Sequence, residues 1–276
     1  MAYIHEPKLK YPDKESGHMF IAEKVHDYTY DANFNYRLKG FKYGFIKFWL
    51  KVLMIILVKP LAAIRYALII KGKKNIKKYK KMAHSKAMIS VANHTAEWDT
   101  LFVLNTRYFK VAEFPIWIEG AESKAGMMYR MAGGIPLPRF SLKGTACSFK
   151  AMREVIDEGK WLHVYPEAAC WYFYPAVREF QIGAFKLAYE THMPVLPMAV
   201  TYRKPKGIYK LFKKHPNAKI EIGEPQEADY SLPKKEAAED LSNRCRKEIM
   251  RLMGINSEEE NQRIKDQFEY YKYTGK

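Results

Sequence analysis

Five short apolar runs, interspersed with five segments of helical spacing, constrain this chain more than any other feature. The runs at 87–92, 114–118, 161–165, 194–201 and 218–222 read as buried strands. The segments 98–109, 122–132, 143–158, 181–191 and 234–253 read as helices. Alternation of this kind predicts a three-layer α/β domain with a parallel or mixed sheet. Sites in such sheets lie beyond the carboxyl ends of the strands. The 276 residues suit one large α/β domain with appendages, or two small domains. We divide them into an arm at 1–39, a helical and basic segment at 40–82, the α/β domain at 83–230 and a helical tail at 231–276. No internal repeat is visible.

The arm is polar, tyrosine-rich and without a clear period, and its first eight residues lack the apolar core of a secretory signal. Residues 40–72 differ sharply. They are apolar but punctuated by Lys47, Lys51, Lys59 and Arg65, and Pro60 is expected to kink them. A spanning helix needs roughly 20 uninterrupted apolar residues. Two amphipathic helices lying in a membrane interface, with lysines reaching the headgroups, fit the pattern; a pair of buried core helices is the alternative. Lys71, Lys73, Lys74, Lys77, Lys78, Lys80 and Lys81 follow. With a net charge of +17, they call for an anionic partner. Beside an amphipathic stretch this reads as an anionic membrane surface. No zinc spacing, aromatic RNA-binding box or helix-turn-helix supports nucleic acid. Cys147, Cys170 and Cys245 are too few and too far apart for a metal knuckle or a disulfide framework, and suggest a reducing compartment. The expected location is the cytoplasmic face of a membrane, peripheral or monotopic.

Asn93-His94-Thr95-Ala96-Glu97-Trp98-Asp99 stands just after the first strand. If a helix begins near Thr95 or Ala96, Asp99 sits about one turn in and its carboxylate folds back on His94. An imidazole oriented in this way is a general base poised near neutral pH. With no serine or cysteine nearby, the proton it takes is that of a substrate hydroxyl. Gly133-Gly134-Ile135-Pro136-Leu137-Pro138-Arg139 combines a tight turn with a stiffened exit that presents a guanidinium suited to phosphate. Glu167 follows the strand ending at Tyr165-Pro166, where it either orients an acceptor's hydroxyls or braces a loop. Gly183 to Ala188 and Met193 to Pro197 read as a helix packed on a strand.

Taken together, these segments resemble the glycerolipid acyltransferase family, whose best-known members are 1-acyl-glycerol-3-phosphate acyltransferases. The resemblance covers residues 40 to about 225. Asn93 to Asp99 looks like the family's histidine–aspartate motif, Gly133 to Arg139 like its second motif, Tyr165 to Glu167 like the start of the third and Pro194 to Pro197 like the fourth. It implies His94 and Asp99 as catalytic residues and Gly133, Arg139 and Glu167 as substrate-binding ones. It also implies acyl-CoA or acyl carrier protein as donor, a lysophospholipid as acceptor, and neither cofactor nor metal. One departure bears on the acceptor. Where the family usually has glycine, threonine and arginine after the glutamate, this chain has Ala168, Ala169 and Cys170. The missing arginine is one that the resemblance implies for phosphate, and Lys124, Arg178 and Lys186 are the candidates to replace it. The expected reaction makes phosphatidic acid from lysophosphatidic acid. The alternatives are the same chemistry on another lyso-lipid or amino-acid lipid, and a non-catalytic basic protein that binds membrane surfaces.

Overall fold

The computed structural model describes residues 11–274 apart from 13, 16, 20–22 and 213–215. The first ten residues, which include the eight read above for a secretory signal, lie outside the described residues. After the arm come helix α1 (Phe41–Leu53), a π-helical turn (Met54–Val58) and α2 (Lys59–Arg65). Strand β1 (Ile69–Lys71), α3 (Lys74–Ala83), β2 (Met88–Ala92), α4 (Asp99–Thr106) and β3 (Ala112–Trp117) follow. The chain continues through α5 (Ile118–Glu122), α6 (Gly126–Met131), β4 (Gly134–Leu137), α7 (Leu142–Asp157) and β5 (Trp161–Val164). It then passes through α8 (Gly183–Glu190), β6 (Val195–Arg203), α9 (Ile208–Phe212), β7 (Asn217–Ile222), α10 (Lys234–Met253) and α11 (Glu258–Thr274).

One mixed sheet takes the order β1-β7-β6-β2-β5-β3-β4. Among the described strands only the β6–β7 pair is antiparallel. β2 lies between β5 and β6, and its five residues are all buried. The chain leaves β2 through α4 towards β3, and later leaves β5 through α8 towards β6 in the opposite direction. Right-handed crossovers therefore put α4 on one face and α8 on the other. Adjacent carboxyl ends whose connections part in this way leave a crevice between them. The crevice here lies between β2 and β5, in register through Ser90↔His163 and Val91↔Val164.

Several elements depart from expectation. β1 and β4 are strands beyond the five expected. The helix expected at 122–132 is broken into α5 and α6, and the one expected at 98–109 is shorter. The basic run has structure of its own. It carries β1 and α3, whose Asn75, Ile76 and Tyr79 are buried, and the Tyr79 hydroxyl accepts from the Ile89 N–H at 2.9 Å. At Pro60 the helix is not sharply broken. The π turn before it surrounds the carbonyl of Ile56, which a proline four residues on would otherwise strike. Lys59 was expected to reach headgroups, but it is buried. Its Nζ donates to the carbonyls of Arg107 (3.2 Å), Tyr108 (2.6 Å) and Lys110 (3.1 Å), capping the end of α4. The arm is fastened as well: Arg37 is buried and forks onto Glu113 and Glu158. Among the described residues no helix is long and apolar enough to cross a membrane.

Candidate active site

The sheet runs out at Asn93. Its side chain continues the ladder to β6, with Nδ2 donating to Val200 O at 3.0 Å and Oδ1 accepting from Val200 N at 2.8 Å. The backbone then turns, and His94 projects above β2. Asp99 is not one turn into a helix. It is the first residue of α4, and the turn before it brings the carboxylate back. Asp99 Oδ2 accepts from Thr95 N at 2.5 Å, Ala96 N at 2.8 Å and His94 Nδ1 at 3.3 Å. Oδ1 accepts from the Tyr202 hydroxyl at 3.3 Å. An ionised carboxylate only accepts, so Nδ1 carries the imidazole proton and Nε2 keeps its lone pair. The Asp99 side chain is fully buried, whereas that of His94 is 21% exposed. The Tyr165 ring stacks on the imidazole at 4.0 Å and 13°, which fixes the plane of the base.

Glu167 is level with His94 in the β2–β5 register, three residues beyond the Val91↔Val164 pair. It cannot take hydroxyls of a substrate, because both oxygens face inward. Oε2 accepts from His94 N at 3.0 Å and from Arg178 Nη2 at 2.9 Å, and Oε1 accepts from Arg178 N at 3.0 Å. Both side chains are 1% exposed. Of the two roles expected for Glu167, the brace is the one its geometry fits. Arg178 spends its charge in this buried pair and reaches the Ala169 carbonyl and the Trp171 ring face. It is therefore not a spare cation for phosphate. Lys186 lies on α8 beside Phe149 and Glu190, and Lys124 is exposed between α5 and α6. Burial pushes the Cys170 thiol well above its ordinary range, so it stays protonated and adds no charge where the resemblance implies an arginine.

Arg139 stands past the carboxyl end of β4, on the same end of the sheet as His94. Its Nη2 donates to Ala168 O at 2.6 Å. Gly133 is not brought to this site. Gly134 is level with Phe114, Glu113 with Leu162, and Leu162 with Ile89. Gly133 is thus level with Ile89, five residues before His94, or about 16 Å away at strand rise. Its φ of +108° serves the turn from α6 into β4, where a Cβ would come within 2.9 Å of Ala112 O. The loop after Glu167 closes over the histidine instead: Trp171 N donates to His94 O at 3.1 Å and Phe173 N to Thr95 O at 2.8 Å.

Sequence reasoning missed Tyr165 and Tyr202. Both are aromatic residues on or just after predicted strands, and only the sheet order shows that they meet at His94. It also missed the layer beneath. Ser90 Oγ hydrogen-bonds His163 Nδ1 at 2.8 Å and accepts from Trp161 Nε1 at 2.7 Å. Burial, with His94 nearby, pulls the His163 pKa down to about 3, so His163 is a neutral core residue.

The acyltransferase family model matches residues 68–201. The probable 1-acyl-sn-glycerol-3-phosphate acyltransferase of Mycoplasma pneumoniae is 26% identical over 137 residues, which are 48% of this chain and 51% of that protein. The chain thus spans about half the length of the curated relative it matches. The crystal structure of the 1-acyl-sn-glycerophosphate (LPA) acyltransferase PlsC from Thermotoga maritima aligns with a TM-score of 0.45 at 15% identity, covering 76% of this chain and 96% of that one.

Ala168 stands at φ +64°, in the left-handed region. Its Cβ is strained there, and glycine, which the family resemblance places at this position, would not be. Ala168→Gly is expected to stabilise the fold by about 1 kcal/mol in urea denaturation. Equal or lower stability would show that the loop carries no such strain.

Proposed function

We propose, for a chain whose residues 68–201 match the acyltransferase family model, that it moves a fatty acyl group from a thioester donor, acyl-CoA or acyl carrier protein, to the hydroxyl of a lysophospholipid. The observation that carries this reading is the His94–Asp99 pair at the β2–β5 crevice, where Asp99 engages Nδ1 and the half-open imidazole keeps Nε2 for a substrate proton. Nε2 takes the proton of the acceptor hydroxyl as its oxygen attacks the thioester carbonyl. The fixed Asp99 carboxylate stabilises the imidazolium that forms. Collapse of the tetrahedral intermediate expels the thiolate, which takes the proton back from His94. The protonated Cys170 thiol speaks against an acyl-cysteine intermediate and supports direct transfer.

The favoured acceptor is 1-acyl-sn-glycerol-3-phosphate, giving phosphatidic acid. Arg139 supports it, as does the activity for which the Mycoplasma pneumoniae relative is named. A second reading keeps the chemistry and changes the acceptor to another lyso-lipid or amino-acid lipid. Cys170 favours it, because that position supplies no cation. A non-catalytic membrane-binding role does not explain why His94 is oriented by four separate groups. Purified protein incubated with labelled acyl-CoA and a panel of lyso-lipids tests the proposal. Wild type is expected to acylate lysophosphatidate, and His94→Ala to lose roughly 10²–10⁴-fold with an unchanged melting curve. Retention of the rate in His94→Ala would remove the general base, and transfer confined to another lyso-lipid would favour the second acceptor.

We further place the protein on the cytoplasmic face of a membrane, bound peripherally. Phe41, Phe45, Phe48, Trp49, Ile56 and Ile64 are more than half exposed at helical spacing along α1 to α2, with the exposed lysines of α3 following. Cosedimentation with anionic vesicles should drop on replacing Phe45, Trp49 and Ile56 by serine. It should fall only in part at high salt, because screening weakens the charge attraction alone. Binding that survives the serine changes but vanishes in salt would contradict an apolar contact.

A further inference from the structure

The described part of the arm crosses the carboxyl end of the sheet. Trp171 Nε1 donates to Gly17 O at 2.8 Å, and Tyr172 N lies 3.2 Å from Met19 Sδ. Arg178 Nη1 donates to Glu15 O at 2.9 Å, and Lys265 of α11 holds Glu15 Oε1 at 2.6 Å. Tyr11 packs on Trp171 and Tyr174. Both neighbours of His18 are thus pinned to the loop that follows Cys170. Arg139 is pinned to the start of that loop, at Ala168. The same loop backs onto His94 through Trp171 N.

A second line of geometry leads to the same place. The His18 ring stacks on Trp117 at 4.2 Å and 23°. Trp117 is level with Leu137, two residues before Arg139. His18 and Arg139 are therefore held by the same loop and by neighbouring strand ends. Arg139 helps burial to pull the His18 pKa down to about 4, and Glu119 of α5 opposes it, so the imidazole is neutral beside the guanidinium. Among the described residues neither ring nitrogen of His18 has a hydrogen-bond partner, and Arg139 uses only Nη2.

We propose that His18 of the N-terminal arm completes the acceptor's headgroup site, so that an anionic phosphate headgroup is held between the His18 imidazole and the Arg139 guanidinium. This rests on the acyl-transfer reading for its substrate class, but not for its geometry. It supplies a donor from outside the family-matched segment, where Cys170 has removed one within it. A neutral imidazole donates one N–H to the anion, and the bound anion in turn favours the imidazolium. The arm then acts in specificity: it shapes the headgroup site and leaves the hydroxyl to His94.

The test uses the full chain as wild type, His18→Ala, His18→Gln, Arg139→Ala and the double His18→Ala/Arg139→Ala. Lysophosphatidate binding is measured by calorimetry, which needs no turnover, and acyl transfer is measured alongside. His18→Ala is expected to weaken lysophosphatidate binding and raise the acceptor KM by roughly 10-fold or more, the scale of a hydrogen bond to a charged group. The KM for acyl-CoA and kcat should stay within about twofold. His18→Gln, which keeps an N–H donor, should recover part of the loss. The double variant should lose less than the sum of the two, since both residues hold one group. Wild-type binding without transfer would sink the acyl-transfer reading and leave the headgroup site standing. Unchanged binding in His18→Ala, a wild type that does not bind lysophosphatidate, or a fall in kcat with both KM values unchanged would each overturn the proposal. A rise in activity in His18→Ala would also overturn it, by making the arm an obstruction.

Discussion

The buried carboxylate of Asp99 is the interaction on which the site depends. An ion with no exposed surface is tolerable only where its lone pairs are filled. Two backbone N–H groups, the Tyr202 hydroxyl and His94 Nδ1 fill them. The two backbone donors shape the turn from β2 into α4 and the side-chain donors fix the histidine, so the loop and the base have the same cause. Asp99 also stands in the first turn of α4, where the helix dipole favours a negative charge.

A second buried carboxylate repeats the logic on the next strand. Glu167 collects His94 N, Arg178 N and the Arg178 guanidinium. His94 is thus held from below by β2, from one side by the end of β5 and in its own plane by Tyr165. Arg178 is held in turn by the arm through Glu15, and its carbonyl accepts from Arg246 of α10 at 3.1 Å. The ends of the chain brace the loop nearest the histidine.

Much of the frame was legible in the sequence, because burial on both faces of a sheet demands long apolar runs. The helix expected at 234–253 forms over Lys234–Met253, and the strand expected at 87–92 over Met88–Ala92. The strands that were missed are short edge strands. β4 has four residues including Pro136, which an edge tolerates, and β1 has three directly after an apolar helix. The spacing of His94 and Asp99 was readable, but not the turn that joins them. The inward turn of Glu167 depends on Arg178, eleven residues on, and the remoteness of Gly133 depends on strand register. His18 lay in an arm without a period of its own and Lys59 in a segment whose pattern set it towards headgroups, and their roles come only from what the fold sets beside them.

The central claim is that Asp99 holds His94 as the tautomer with Nδ1 protonated and Nε2 free to take a proton. Nitrogen-15 NMR of histidine-labelled protein near pH 7.5, with the His94 signals assigned by their loss in His94→Gln, measures this directly. The expected result is a protonated Nδ1 and an unprotonated Nε2, with the order lost in Asp99→Asn. A proton resident on Nε2 in the wild type would contradict it.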